Sequence, residues 1–139
     1  MFEHSIEIAA SPAAVFAVWT DVTRWPEWTR SVTSIEMVGD LPLQIGAKVR
    51  IRQPRLGTTT WTISEFEPDQ AFTWVSSAPG LAGQATHRVQ QTPTGTRATM
   101  SVDHTGFLAP IARALTAGIT RRYLTYEAEG LKARAESGE

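Results

Sequence analysis

The chain has 139 residues, with 13 Lys and Arg against 14 Asp and Glu and a net charge of -1; 42% of the residues are hydrophobic and 19% are charged. This length provides one hydrophobic core and one internal pocket, which excludes a multidomain architecture, so we expect a single domain over residues 1–139. The basic residues are scattered, which excludes the positive surface that nucleic-acid binding requires.

Cysteine is absent, which excludes disulfides, thiolate nucleophiles and cysteine-ligated metal clusters. The first residues include Glu and His where a secretory signal would be basic, and no apolar stretch approaches the ~20 residues that span a bilayer. These features predict a cytoplasmic protein with no membrane span.

The first part of the chain predicts one strand and two short helices. Residues 2–9 alternate apolar and polar side chains, which is the period of a half-buried strand. The dipeptide Ser11-Pro12 combines a helix N-cap with a proline at the first helical position, and the helix ends near Thr20. Asp21 is a second cap signal, and Pro26 limits the following helix to one or two turns.

The middle of the chain predicts strands. Its segments are rich in Thr and Val, are separated by Gly and Pro, and show no helical periodicity. Short connections between the segments indicate an antiparallel meander. The predicted strands cover residues 31–38, 47–54, 58–67, 70–77, 82–92 and 95–105.

After Gly106 the apolar period returns to 3.6 residues and predicts one long amphipathic helix over residues 107–135. The Ala- and Gly-containing segment 114–118 leaves two interpretations open: a close helix contact, as in a homodimer, or space for a ligand. The predicted apolar stripe comprises Leu108, Ile111, Ala112, Leu115, Ile119, Tyr123 and Tyr126.

The resulting order, β-α-α-β6-α, predicts an α+β fold. A single strand cannot pair alone, so the first strand joins the later six in one seven-stranded curved antiparallel sheet that wraps around the long C-terminal helix. The two short helices then close one end of the curved sheet. We expect a cavity in the gap between the sheet and the helix.

Several segments resemble the START-like/Bet v 1-like (SRPBCC) superfamily, and in particular its polyketide cyclase/dehydrase and lipid-transport branch. The resemblance covers nearly the whole chain and implies the helix-grip fold. It also implies one of several activities, because the superfamily includes aromatase/cyclases, hydrolases, lipid carriers and co-chaperone modules. The segments are Ile6-Glu7-Ile8, Ser11-Pro12-Ala13-Ala14-Val15-Phe16, residues 21–28, Gly46-Ala47-Lys48-Val49, Gln53-Pro54, Phe72-Thr73-Trp74, residues 95–99 and Glu129-Gly130-Leu131-Lys132.

Strand alternation turns His87 and His104 toward the helix, on one concave face. One interpretation makes either of them a general acid or base, because imidazole titrates near neutral pH. The other makes each a hydrogen-bonded core histidine, as we expect for His4. The three histidines show no local metal-ligand spacing, and we expect neither a metal nor another cofactor.

The inward aromatic side chains suit a flat hydrophobic ligand, although plain core packing would explain them equally well. Trp19, Trp25 and Trp28 are expected to be structural residues of the helical plug, with the rim of the cavity as the alternative for Trp25 and Trp28. Arg122 either reaches the cavity as a polarising cation or extends to solvent. The predicted ligand-binding residues are Trp61, Phe72, Trp74, His87, Met100, His104, Leu115, Ile119, Arg122 and Tyr123.

Three functions follow as hypotheses. The first is binding of a hydrophobic or polycyclic small molecule in the internal cavity. The second, implied by the resemblance, is an aromatase/cyclase-type enzyme in which His87 or His104 moves protons during aldol closure and dehydration of a poly-β-ketone. The third is a co-chaperone-like interaction module that uses the outer face of the sheet.

Overall fold

The computed structural model describes residues 1–40 and 42–138, and its element order confirms the predicted α+β fold. The helices are α1 (Pro12–Thr20), a 3₁₀ helix (Val22–Glu27) and the long helix α2 (Ala109–Ser137). The strands are β1 (Phe2–Ile8), β2 (Ser34–Val38), β3 (Lys48–Gln53), β4 (Gly57–Glu67), β5 (Ala71–Ala78), β6 (Leu81–Thr92) and β7 (Gly95–Thr105).

The seven strands form one antiparallel sheet in the order β1-β7-β6-β5-β4-β3-β2. The first strand pairs with the last, with Ile6 opposite Ala98, which gives β1 the partner that it lacks in its own part of the sequence. A shift of register between Ile63 and Glu65 marks a bulge in β4, and a bulge increases the local bend and twist of a strand.

The two short helices cover one part of the concave face. Ser11 caps α1 as predicted, because its side-chain oxygen accepts a hydrogen bond from the backbone N–H of Ala14 at 3.2 Å. Asp21 occupies the predicted N-cap position of the 3₁₀ helix, but its side chain makes no capping hydrogen bond and its carboxylate pairs with Arg24 at 3.5 Å. Trp19 and Trp25 are buried and join the core of the sheet.

Helix α2 turns small and polar side chains, along with a few leucines, toward the rest of the protein. The predicted apolar stripe is rotated from this buried face, since Leu108, Ile111 and Leu115 are all exposed, Leu115 by 77%. The buried residues of α2 are Ala109, Thr120, Leu124, Ala128, Leu131 and Ala135.

Packing against the 3₁₀-helix region fixes the orientation of α2. A Cβ atom added at Gly130 would overlap the backbone carbonyl of Trp28, so only glycine permits the helix to lie this close. Hydropathy periodicity identifies the most apolar face of a helix but contains no information about this contact. This is the physical reason for the rotated prediction.

Along residues 1–40 and 42–138, no helix has both the length and the apolar character needed to cross a membrane.

Candidate functional site

A cavity of about 560 Å³ lies between the sheet and α2. It exists because α2 presents the short side chains of Ala112, Thr116 and Thr120 to the open part of the sheet. The apolar walls are formed by Trp25, Val32, Ile51, Leu56, Trp61, Trp74, Leu81, Ala85, Met100, Val102 and Leu124. The hydroxyl-bearing walls are formed by Ser31, Thr58, Thr59, Thr60, Ser76, Ser77, Ser101, Thr116, Thr120 and Tyr123.

His87 lies at the inner wall of this cavity within a group of aromatic rings. Its imidazole stacks on Phe72 with the ring centroids 4.2 Å apart, and it meets Trp74 edge to face at 5.0 Å. Trp19 and Trp25 contact it from the helical side at 5.3 Å and 5.9 Å. The surrounding rings remove the imidazole from water almost completely.

One hydrogen bond of His87 fixes its tautomer. Nδ1 lies 3.3 Å from the backbone carbonyl oxygen of Phe72, and a carbonyl only accepts, so Nδ1 carries the proton. Nε2 is then the unprotonated nitrogen of the neutral ring. Burial lowers the pKa of His87 from 6.5 to about 3, so the neutral ring is the form present at neutral pH.

Glu127 extends from α2 to the same place, and the sequence analysis did not identify it. Its carboxylate oxygen Oε2 accepts a hydrogen bond from Nε1 of Trp19 at 3.0 Å and lies 3.8 Å from Nε2 of His87. Only 12% of the side chain is exposed, and the residue lines the cavity. Burial raises the pKa of Glu127 from 4.5 to about 7, although the Trp19 hydrogen bond favours the ionised form.

One sequence signal could have found Glu127. It follows Thr120 and Tyr123 at helical intervals of three and four residues, and both of those residues face the cavity. An acidic residue in a row of inward positions is unusual enough to be a candidate site. The apolar stripe predicted from the sequence placed Tyr126, and not Glu127, on the inner face of the helix, so Glu127 was not recognised as an inward residue.

His104 lines the outer part of the cavity and does not meet His87. Gly83 pairs with His104 across β6 and β7, whereas His87 pairs with Met100, so the two histidines are four residues apart along the sheet, roughly 13 Å. Burial, with the positive charge of Arg113 as a smaller cause, lowers the pKa of His104. Its buried Nδ1 finds no hydrogen-bond partner among the described residues.

Six of the predicted ligand-binding residues line the cavity: Trp61, Trp74, His87, Met100, His104 and Tyr123. The hydroxyl of Tyr123 also donates to the carbonyl oxygen of Pro54 at 2.6 Å, which ties the loop between β3 and β4 to α2. Trp25 is buried at the inner wall and not at the rim, the alternative considered for it, and its Nε1 donates to the carbonyl oxygen of Trp19 at 2.9 Å.

The other four lie outside the cavity lining. Phe72 is fully buried beneath the ring of His87, which separates it from the open space. Leu115 and Arg122 are exposed, and Ile119 is half-buried, because α2 is rotated from the predicted orientation. The expectation that these side chains face the cavity is therefore corrected.

Comparisons with known proteins agree with this architecture. The family model for polyketide cyclase/dehydrase and lipid transport proteins matches residues 1–136. No curated protein matches the chain. The di-domain ARO/CYC StfQ from the steffimycin biosynthetic pathway superposes with a TM-score of 0.79 at 16% identity, over 99% of this chain and 50% of that one. The present chain thus spans half the length of the di-domain protein.

Two further solved structures are similar over nearly their whole length. The Zhui aromatase/cyclase from a Streptomyces species has a TM-score of 0.78 at 17% identity, with 97% of this chain and 92% of that chain covered. A Thermus thermophilus protein has a TM-score of 0.78 at 16% identity, with 99% and 97% covered. At these identities the likeness shows a shared fold.

Proposed function

The chain belongs to the polyketide cyclase/dehydrase and lipid transport family, and from this membership and its cavity we propose that it binds an uncharged, polycyclic or otherwise hydrophobic small molecule that carries oxygen substituents. The single observation that carries the proposal is the cavity itself. Its volume of about 560 Å³ falls in the range of small-molecule sites, and its tryptophan walls suit flat rings.

The lining also supports the restriction to uncharged ligands. No Lys, Arg or Asp belongs to the described lining, and Glu127 is its single carboxyl group. A fatty acid or phosphate in this space would leave its negative charge without a cationic partner, at a cost of several kcal/mol. The hydroxyl groups of the lining instead provide hydrogen bonds for phenols, ketones and alcohols.

A matched pair of substitutions tests binding. Ala112→Phe places a ring in the cavity, whereas Ala114→Phe adds the same ring on the exposed side of α2. We expect tryptophan fluorescence titration with polycyclic phenols, and native mass spectrometry of the mixture, to show binding to the wild type and to Ala114→Phe only. Equal binding by Ala112→Phe, or no binding by the wild type, would reject the cavity as the site.

A second candidate function is supported by one specific observation, the pairing of Glu127 with His87. With a pKa of about 7, Glu127 carries a carboxyl proton in about half of the molecules at neutral pH, and the unprotonated Nε2 of His87 lies 3.8 Å from its Oε2. An acid and a base within one ligand site are what aldol closure and dehydration of a poly-β-ketone require. This reaction is the enzymatic alternative for the same cavity.

The proton movements of this reaction balance within the pair. Nε2 of His87 takes a proton from a carbon between two carbonyl groups, and that carbon forms the new C–C bond to a second carbonyl. The Glu127 carboxyl protonates the alkoxide oxygen of this adduct, which gives a hydroxyl, and the imidazolium returns its proton to the Glu127 carboxylate. Nε2 then takes the second proton from the same carbon while the Glu127 carboxyl protonates the hydroxyl, which leaves as water as the double bond forms. Transfer of the proton from imidazolium to carboxylate restores both groups to their starting forms.

Glu127→Gln separates the two functions. The amide keeps an acceptor for Trp19 but supplies no acidic proton, so we expect turnover of a poly-β-ketone analogue to fall by about 100-fold while ligand affinity changes only a few-fold. Glu129→Gln, an exposed substitution on the same helix, is the control. Full turnover by Glu127→Gln would remove the catalytic role and leave binding alone.

A further inference from the structure

Four large apolar side chains are exposed together where α2 begins. Phe107, Leu108, Ile111 and Leu115 are 80%, 38%, 58% and 77% exposed, and we call them the outer patch. Ile111 and Leu115 are one helical turn apart, so they project from the same side of α2. Monomeric proteins rarely leave such a contiguous group in water without a partner for it.

The outer patch borders the outer part of the cavity. Phe107 lies against Gly80 in the turn between β5 and β6, where an added Cβ would collide with its ring. The backbone N–H of Leu108 donates to the Gly80 carbonyl at 2.9 Å, and Leu81, the first residue of β6, lines the cavity. Ala112 and Thr116, the next residues after Ile111 and Leu115, also line it.

The charge around the outer patch is entirely positive along the chain. Residues 104–126 contain three arginines and no Asp or Glu. Arg122 is exposed and follows Leu115 by seven residues, or about two helical turns, so it lies on the same side of α2. Arg121 lies over the ring of Phe2, with its guanidinium carbon 5.1 Å from the ring centroid. The apolar surface therefore has a basic margin.

We propose that the outer patch docks the protein on a negatively charged lipid bilayer. Exposed Phe, Leu and Ile side chains insert at the boundary of the acyl chains, while flanking arginines meet the anionic headgroups. Contact of the patch with the bilayer would bring the outer part of the cavity to the surface, where a hydrophobic ligand passes without crossing water. The docking itself requires no cavity ligand.

The charges near the outer patch also disfavour a second copy of this chain as the partner that covers it. Two outer patches in contact would bring two sets of Arg121 and Arg122 together, and residues 104–126 offer no acidic residue to pair with them. Asp103 is the nearest acid before the segment, and it already contacts Arg113 at 3.9 Å and the N-terminus at 3.7 Å. A negatively charged bilayer instead provides anionic groups that pair with these arginines.

Vesicle co-sedimentation tests the proposal directly. We expect the wild-type protein to bind vesicles that contain phosphatidylglycerol at least about tenfold more tightly than vesicles of phosphatidylcholine alone, and to release them as salt rises. The double variant Phe107→Ser/Leu115→Ser should lose this binding, and Arg122→Glu should weaken it. Ile45→Ser, which changes an apolar residue 63% exposed in the loop between β2 and β3, is the matched control.

Each alternative result overturns the proposal. The proposal is rejected if the wild type does not bind anionic vesicles. It is also rejected if the double variant, with an unchanged circular dichroism spectrum, binds them as well as the wild type does. Dimerisation of the wild type that the double variant abolishes, measured by analytical ultracentrifugation without vesicles, would assign the patch to a second copy. Saturable binding to an acidic protein in place of the vesicles would assign it to a protein partner.

Discussion

Two residues at the inner wall of the cavity, Glu127 and His87, make the stability of the folded protein depend on pH. Between about pH 4.5 and 7 folded Glu127 keeps a proton that the unfolded chain has released, so its contribution to stability falls as pH rises through this window. Between about pH 3 and 6.5 the unfolded chain binds a proton on His87 that the folded protein does not, so this contribution rises with pH. The two effects oppose each other where the windows overlap.

Glu127→Gln isolates the carboxyl effect, because the amide remains neutral at every pH. We expect the free energy of unfolding of this variant, relative to the wild type, to increase by about 2 kcal/mol between about pH 5 and pH 8. Urea denaturation at the two pH values measures the difference, with Glu129→Gln as the control. A constant difference between Glu127→Gln and wild type would show that the Glu127 pKa is not raised.

The hydroxyl of Tyr123 holds the loop between β3 and β4 over the cavity. Tyr123→Phe removes its 2.6 Å hydrogen bond to the Pro54 carbonyl and leaves the ring in place. We expect faster amide hydrogen exchange at residues 55–58 and a loss of global stability of no more than about 1 kcal/mol. Tyr126→Phe, whose ring lies under Arg30, should leave that loop unchanged. Equal exchange in Tyr123→Phe and wild type would exclude the hydroxyl as a restraint.

Helix α2 has one buried face and a different, exposed face that is also apolar. Leu131 is fully buried against the core, whereas Leu115, one of the most apolar positions of the helix, is 77% exposed. The helix therefore uses large side chains at its C-terminal half for packing. In its N-terminal half it keeps small residues inside, which leaves the cavity open.

Two identical substitutions in α2 test this orientation. Leu131→Ala should lower the free energy of unfolding by about 2 to 5 kcal/mol, because it removes buried methyl groups and leaves a void. Leu115→Ala should change it by less than about 0.5 kcal/mol, because solvent already surrounds the side chain. Thermal or urea denaturation of both variants gives the comparison. A larger loss for Leu115→Ala would mean that α2 faces the sheet with the stripe predicted from sequence.

The strands were predictable to within three residues at either end, whereas the face of α2 was not. A period of two residues fixes which side chains share a sheet face, so His87, Met100 and Trp74 could be placed inward from the sequence. A helix can present any of its faces to the sheet by rotating about its axis. In α2 this rotation is set by a tertiary contact, the close approach of Gly130 to the backbone of Trp28. The pairing of Glu127 with His87 depends on that rotation and was missed for this reason.

The whole molecule combines a core at one end of α2 with an open space at the other. The 3₁₀ helix and the C-terminal half of α2 close the sheet, and the turn between β5 and β6 meets the start of α2 at the opposite side. Sequence could predict a gap between sheet and helix from the element order alone. Its volume and its nearly uncharged lining depend on side-chain packing, which no period in the sequence encodes.

The most direct test of the proposed function compares two ligands that share one polycyclic skeleton, one with a phenol group and one with a carboxylate in its place. We expect tryptophan fluorescence titration at about pH 6, where Glu127 is protonated, to give at least about tenfold tighter binding for the phenol. Ala112→Phe should lose the phenol, and Ala114→Phe should retain it. Equal or tighter binding of the carboxylate would contradict a cavity selective for uncharged ligands.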